Sequence, residues 1–130
     1  MTRPLRLGLA AVVLMAAASG AVAHHATTMY DKQVERQLEG TVKEFEWVNP
    51  HIRIQLLVNE NGKAAPYAIE AGSPNGMTGR GWKSTTLKPG DKVTFTVNPL
   101  RTGEPNGLFV RVVLPDGNVL SRRDPQPYAR

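Results

Sequence analysis

Three histidines, His24, His25 and His51, are the residues in this chain best suited to chemistry. There is no cysteine, which excludes thiolate metal sites, disulfides, thiol catalysis and a lipoprotein anchor. His24 and His25 stand directly behind an export signal. Cleavage after Ala23 leaves His24 at the N-terminus, with an amine and an imidazole on one residue. These two nitrogens close a chelate ring on a transition metal, and a second imidazole completes a T-shaped, three-nitrogen site. Tetragonal nitrogen donors suit Cu(II), which tops the divalent affinity order. His51 is the one distant histidine that can supply the third nitrogen. His25 offers a competing mode through the amine, its own amide nitrogen and its ring; that mode needs a deprotonated amide and weakens at low pH. The same donors accept Zn(II) or Ni(II), so the spacing does not choose the metal. Plainer readings stand beside this one. Any chain starting with histidine binds some copper, and His51 can be a surface residue bonded to the turn at Asn49.

Other reactive types are less telling. Glu44 and Glu46 share a strand face at period two, the spacing of an acid–base pair and also of an ordinary solvated face. Glu70 closes a strand. Ser73 sits in Gly72-Ser73-Pro74-Asn75-Gly76, which is not the G-x-S-x-G elbow, and an N-cap explains it better. Trp47, Tyr67 and Trp82 can form a stacking platform or simply fill a core. Met29 and Met77 match the soft-ligand preference of Cu(I), although single methionines more often fill gaps. Arg53, Arg80, Arg101 and Arg111 are scattered, and their spacing requires no common anion.

The elements that must position these residues begin with residues 1–23. Arg3 and Arg6 form a positive region, Leu7 to Ala18 is apolar but too short for a membrane span, and Ala21-Val22-Ala23 supplies a cleavage site. The expected location is therefore the periplasm. The signal holds two of the 16 Lys+Arg and none of the 11 acids, so the mature chain carries a net charge of +3. That is no nucleic-acid footprint, and export argues further against such a partner. The remaining residues of the 130 fit one domain with a modest core.

Residues 24–32 read as a polar N-terminal arm, 33–120 as the domain and 121–130 as a flexible tail. Leu38, Gly40 and Val42 share one parity and Phe45 and Trp47 the other, which predicts a bulge near Lys43. Ile52, Ile54, Leu56 and Val58 alternate with His51, Arg53 and Gln55, placing His51 off the core face. Asn61-Gly62 predicts a hairpin. Strands follow near Ala65–Glu70, Val93–Val97 and Leu108–Leu114, with a short helical turn carrying Met77 and Trp82 between the third and fourth. This order predicts an all-β, five-stranded OB-like barrel with a short helical insert between strands 3 and 4.

Several strings together resemble an uncharacterised family of small exported proteobacterial proteins, a domain of unknown function. They are Ala23-His24-His25, Gly40-Thr41-Val42-Lys43-Glu44-Phe45 with Trp47, Asn49-Pro50-His51, Gly72-Ser73-Pro74, Gly81-Trp82, Leu87-Lys88-Pro89-Gly90-Asp91 and Pro99-Leu100-Arg101. The resemblance implies a periplasmic β-domain and no established activity. The expectation is a small exported binding protein rather than an enzyme, with copper (or zinc or nickel) held by His24, His25 and His51. The alternative is a metal-free module that binds a small periplasmic ligand or a protein through Trp47, Tyr67 and Trp82. No membrane span is expected after signal cleavage.

Overall fold

Strand β1, Arg36–Glu46, changes inward parity partway along, as its sequence demands. Leu38 and Val42 are buried, and the register with its neighbour then shifts between Val42 and Glu44, so that Phe45 turns toward the core. Lys43 is thus the extra residue of a bulge, which increases local twist and lets one strand serve two partners. The first half of β1 pairs antiparallel with β4, Lys92–Pro99, and the second half with β2, Arg53–Glu60. The computed structural model describes residues 28–122. Residues 1–27, with the expected signal, His24 and His25, and residues 123–130 lie outside them.

β2 and β3, Lys63–Glu70, form the hairpin expected at Asn61-Gly62. Both turn residues have positive φ, 53° and 80°, the pairing that a two-residue type I′ connection requires. A short helix α1, Pro74–Thr78, follows. Ser73 caps it by accepting a hydrogen bond from the Gly76 N–H at 3.2 Å, which confirms the capping role over a nucleophilic one. Trp82 lies just beyond the helix, held by its N–H to the Met77 carbonyl. β5, Asn106–Val113, pairs with β4 on one side and runs parallel to β3 on the other. That parallel contact closes the barrel in the order β3-β2-β1-β4-β5, the OB arrangement predicted from the element order.

A sixth strand, β6 (Val119–Ser121), is added to β5 after the turn at Asp116-Gly117. It is absent from the sequence-based expectation because three residues are too few to show a period. Ser121, expected to open the tail, pairs with Arg111, and the Arg122 N–H donates to the Val110 carbonyl at 2.8 Å. The barrel core is a set of inward residues from every long strand. Trp82 plugs it, edge-on to Phe109 with ring centroids 5.2 Å apart and 6.0 Å from Phe45. Among the described residues, no helix is long and apolar enough to cross a membrane.

Candidate functional site

His51 is positioned by backbone bonds that carry the β2–β3 pairing one step past the last ladder residues. The Ile52 N–H donates to the Gly72 carbonyl at 3.0 Å, and the Ala71 N–H to the Ile52 carbonyl at 2.9 Å. Ile52 itself is fully buried, so period two turns the His51 ring outward, as the alternation predicts. The preceding Asn49–Pro50 peptide is cis. On the same outer face, Arg53 stands opposite Glu70 in register. His51 Nε2 lies 3.6 Å from Glu70 Oε1, with side-chain exposures of 48% and 29%.

The second oxygen of Glu70 is taken from an unexpected direction. The Tyr30 hydroxyl donates to Glu70 Oε2 at 3.0 Å and also lies 3.4 Å from Asn106 Oδ1. Tyr30 belongs to the segment read from sequence as a polar arm, yet it is only 2% exposed. An antiparallel bridge to Leu100 holds it there, flanked by the Asp31 N–H to the Pro99 carbonyl and the Arg101 N–H to the Met29 carbonyl. An Arg101–Asp31 ion pair at 3.8 Å adds to the clamp. The phenol is held neutral far above its ordinary titration range, first by burial, then by the Glu70 charge and the hydrogen bond to it. Residues 28–32 are therefore tied to His51 through a Tyr30–Glu70–His51 chain.

His51 and Glu70 form one wall of a cleft of about 530 Å³ between the end of β3, α1 and β5. Met77, Leu108 and Phe109 line its apolar part. Lys32, Arg80, Arg122 and His51 bring basic groups to it, against Glu70 alone as an acid. Arg122 Nη2 donates to the buried Asn98 Oδ1 at 3.3 Å, and Asn98 Nδ2 donates to the Val34 carbonyl at 2.8 Å.

Other sequence candidates fall elsewhere. Glu46 is bound by Arg53, Nε to Oε2 at 2.6 Å, while Glu44 is exposed, so the two acids form an ordinary outer strand face. The expected Trp47, Tyr67 and Trp82 surface is corrected by burial. Tyr67 and Trp82 are 1% and 0% exposed, and only Trp47 reaches solvent in part. Strand parity on β3 sends Tyr67 inward, where it donates to the Asn106 carbonyl at 3.1 Å, and the turn after α1 sends Trp82 into the core. Met29 is exposed and Met77 buried, so the two do not form a soft pair. Arg53 and Arg101 are occupied by acids, Arg111 is exposed on β5, and Arg80 alone of the four arginines singled out reaches the cleft. Sequence reasoning missed Tyr30, Lys32 and Arg122. One cue was available for the first: Tyr30 is the only Phe, Tyr or Trp among residues 24–35. Among the described residues, no group of three or more His, Asp or Glu is placed to hold a metal ion.

The family model described as a family of unknown function, DUF6152, matches residues 11–110, and the chain belongs to that family. No curated protein matches the chain. Among solved structures, it is similar to the mitochondrial single-stranded DNA binding protein Rim1 from S. cerevisiae. The identity is 12% and the TM-score 0.47, over 62% of this chain and 92% of that one.

Proposed function

We propose that this member of DUF6152 is an exported, periplasmic small binding protein that holds Cu(II) between the arm and His51. The exported proteobacterial character implied by the sequence motifs is part of this proposal. In it, His24 supplies its amine and ring, His51 supplies the distant imidazole, and His25 assists or competes. The observation that carries the reading is the Tyr30 anchor. By pairing with Leu100 and donating to Glu70, Tyr30 fixes the arm on the His51 side of the barrel. Tyr30 is six residues on from His24, a reach of up to about 20 Å for an extended chain. An anchor at Tyr30, which shares Glu70 with His51, supports a reach of that length.

Imidazole and amine donors suit Cu(II). Neighbouring ligands about 2.1 Å from a tetragonal ion lie about 3 Å apart. His51 Nε2 and Glu70 Oε1 stand 3.6 Å apart, so they would have to close in to share such an ion. Two donors do not make a closed site, and the arm is where further nitrogens would come from. Glu70 can also act from outside the metal shell, orienting the imidazole by accepting from its ring N–H.

The test is a Cu(II) titration of protein matured by export, followed by calorimetry and electron paramagnetic resonance. A version extended by one N-terminal residue and the His51→Ala variant are each expected to weaken binding and alter the copper spectrum. If both leave affinity and spectrum unchanged, the composite site is wrong.

A second reading has its own observation. The cleft beside His51 is large enough for a small organic ligand whether or not a metal binds. It replaces the buried aromatic surface as the place where a metal-free binding module would act.

A further inference from the structure

β5 lends one edge to two partners. Asn106 to Leu108 pair parallel with the end of β3, and Arg111 to Val113 pair antiparallel with β6. The Arg122 N–H to the Val110 carbonyl carries the β6 side one step further, at 2.8 Å. Beyond it the edge is taken by Glu70, which stands opposite Leu108. A chain continuing the β6 ladder past Phe109 would collide with that strand end, so the sheet delivers residue 123 and its successors to the fork between β3 and β6. Glu70, Leu108, Phe109 and Arg122 all line the cleft of about 530 Å³, so the fork opens on the cleft.

The sequence that arrives there suits what it meets. Residues 123–128 contain one acid, Asp124, one aromatic ring, Tyr128, and two prolines, Pro125 and Pro127. Proline donates no ladder hydrogen bond, which ends strand pairing at this point. Each proline also biases the residue before it, Asp124 and Gln126, toward extended backbone, which lowers the entropy lost on docking. Side chains of an extended chain alternate, so Asp124 takes the side of Arg122, toward the cleft, and Arg123 the other. Lys32 and Arg80 are exposed on the cleft, and no acid of the described residues pairs with either. Met77, Leu108 and Phe109 supply apolar surface for a ring. A cleft of this volume is about 10 Å across, while Arg122 to Tyr128 spans up to about 20 Å when extended, so the ring can reach that surface.

We propose that residues 123–128 of this chain occupy the cleft, with Asp124 between Lys32 and Arg80 and the Tyr128 ring on Met77, Leu108 and Phe109. The tail is then a tethered ligand of its own barrel. A short tether gives an effective concentration on the order of millimolar, so contacts too weak to hold a free peptide keep the tail in place. A ligand that enters the cleft has to displace it. The inference rests neither on copper at His51 nor on a small ligand in the cleft. Arg122 enters only as the point where the chain meets the cleft.

The experiment uses the mature full chain with EDTA present, so no metal contributes. Because the chain has no cysteine, Ala129→Cys takes a nitroxide label at a single site, just past the docked segment. Amide signals of the isotope-labelled protein are read by nuclear magnetic resonance with the nitroxide oxidised and then reduced. Gly72, Gly76, Met77 and Phe109 are expected to lose signal, while Asn61 and Gly62, at the far end of β3, keep theirs. Asp124→Lys combined with Tyr128→Ser is expected to restore the cleft amides, and so is Lys32→Gln combined with Arg80→Gln. The same spectra show that each variant is folded. Mixing nitroxide-bearing protein without isotope with isotope-labelled protein without nitroxide is expected to leave the cleft amides intact. The proposal is overturned if the cleft amides lose no more signal than Gly62, or if both double variants lose signal as the parent does. It is also overturned if the loss appears in the mixed sample, which would make the occupant a second molecule's tail.

Discussion

Replacing Tyr30 by phenylalanine isolates the anchor on which the site geometry depends. The ring stays buried, so the apolar contribution is kept and only the hydroxyl is lost. That hydroxyl donates to Glu70 Oε2 at 3.0 Å. A hydrogen bond to a charged group contributes about 1.5–3 kcal/mol. Glu70 remains partly solvated and can recover a water, so we expect a loss of about 1–2 kcal/mol at pH 7. For a domain of this size, each kcal/mol lowers the melting temperature by about 4–8 °C. The pH dependence gives a second, sharper signature. The folded-state pKa of Tyr30 is raised, so its contribution is complete below the unfolded phenol value near 10. As pH climbs above that value, the unfolded chain ionises while the folded chain does not. Wild-type stability then falls by up to about 1.4 kcal/mol per pH unit on this account, and Tyr30→Phe lacks that slope. Tyr67 is also raised, first by burial, and adds the same alkaline loss to both proteins. Urea unfolding by circular dichroism at pH 7, 9, 10 and 11 measures the gap. The gap should be widest at pH 7 to 9 and narrow above pH 10. Equal stabilities at pH 7, or a gap that stays constant to pH 11, would refute the reasoning.

Further substitutions test the frame that holds the site. Trp82→Ala empties the end of the barrel and should cost about 3–5 kcal/mol by denaturant melts. At Gly40 an added Cβ would lie 2.5 Å from the Leu57 carbonyl, so Gly40→Ala should disrupt the β1–β2 pairing and lower the urea midpoint. At Gly107 it would lie 2.7 Å from Val97 Cγ2, and Gly107→Ala should cost about 1–3 kcal/mol through overpacking. Ser73→Ala removes the cap of α1 and should cost about 0.5–2 kcal/mol, read from thermal melts.

The barrel is legible in the sequence because its signals are local. The parity switch at Lys43, the alternation from Ile52 to Val58, the Asn61-Gly62 turn and the Ser73-Pro74 cap each sit within a few residues. Backbone sterics and period-two burial act over that same range. What is not legible shares one cause. In sequence Trp82 and Tyr67 suit a core or a surface platform, and only the closed barrel, made by the parallel β3–β5 contact, decides that both rings end inside. β6 is held by pairing with β5 rather than by any pattern of its own.

The site divides in the same way. The sequence alone determined that His51 points away from the core, because alternation on a strand with one buried face leaves no other choice. It also carries the proposal for His24, which follows from residue type and from the export signal expected before it. Only the tertiary structure decided what stands beside His51. Tyr30 reaches Glu70 across 40 residues, and Arg122 reaches Asn98 across 24, through bonds made only once β3, β4 and β5 have met. Such contacts have no period and no motif. They depend on which ends of the barrel the closure brings together, and that is fixed by strand order and register in three dimensions.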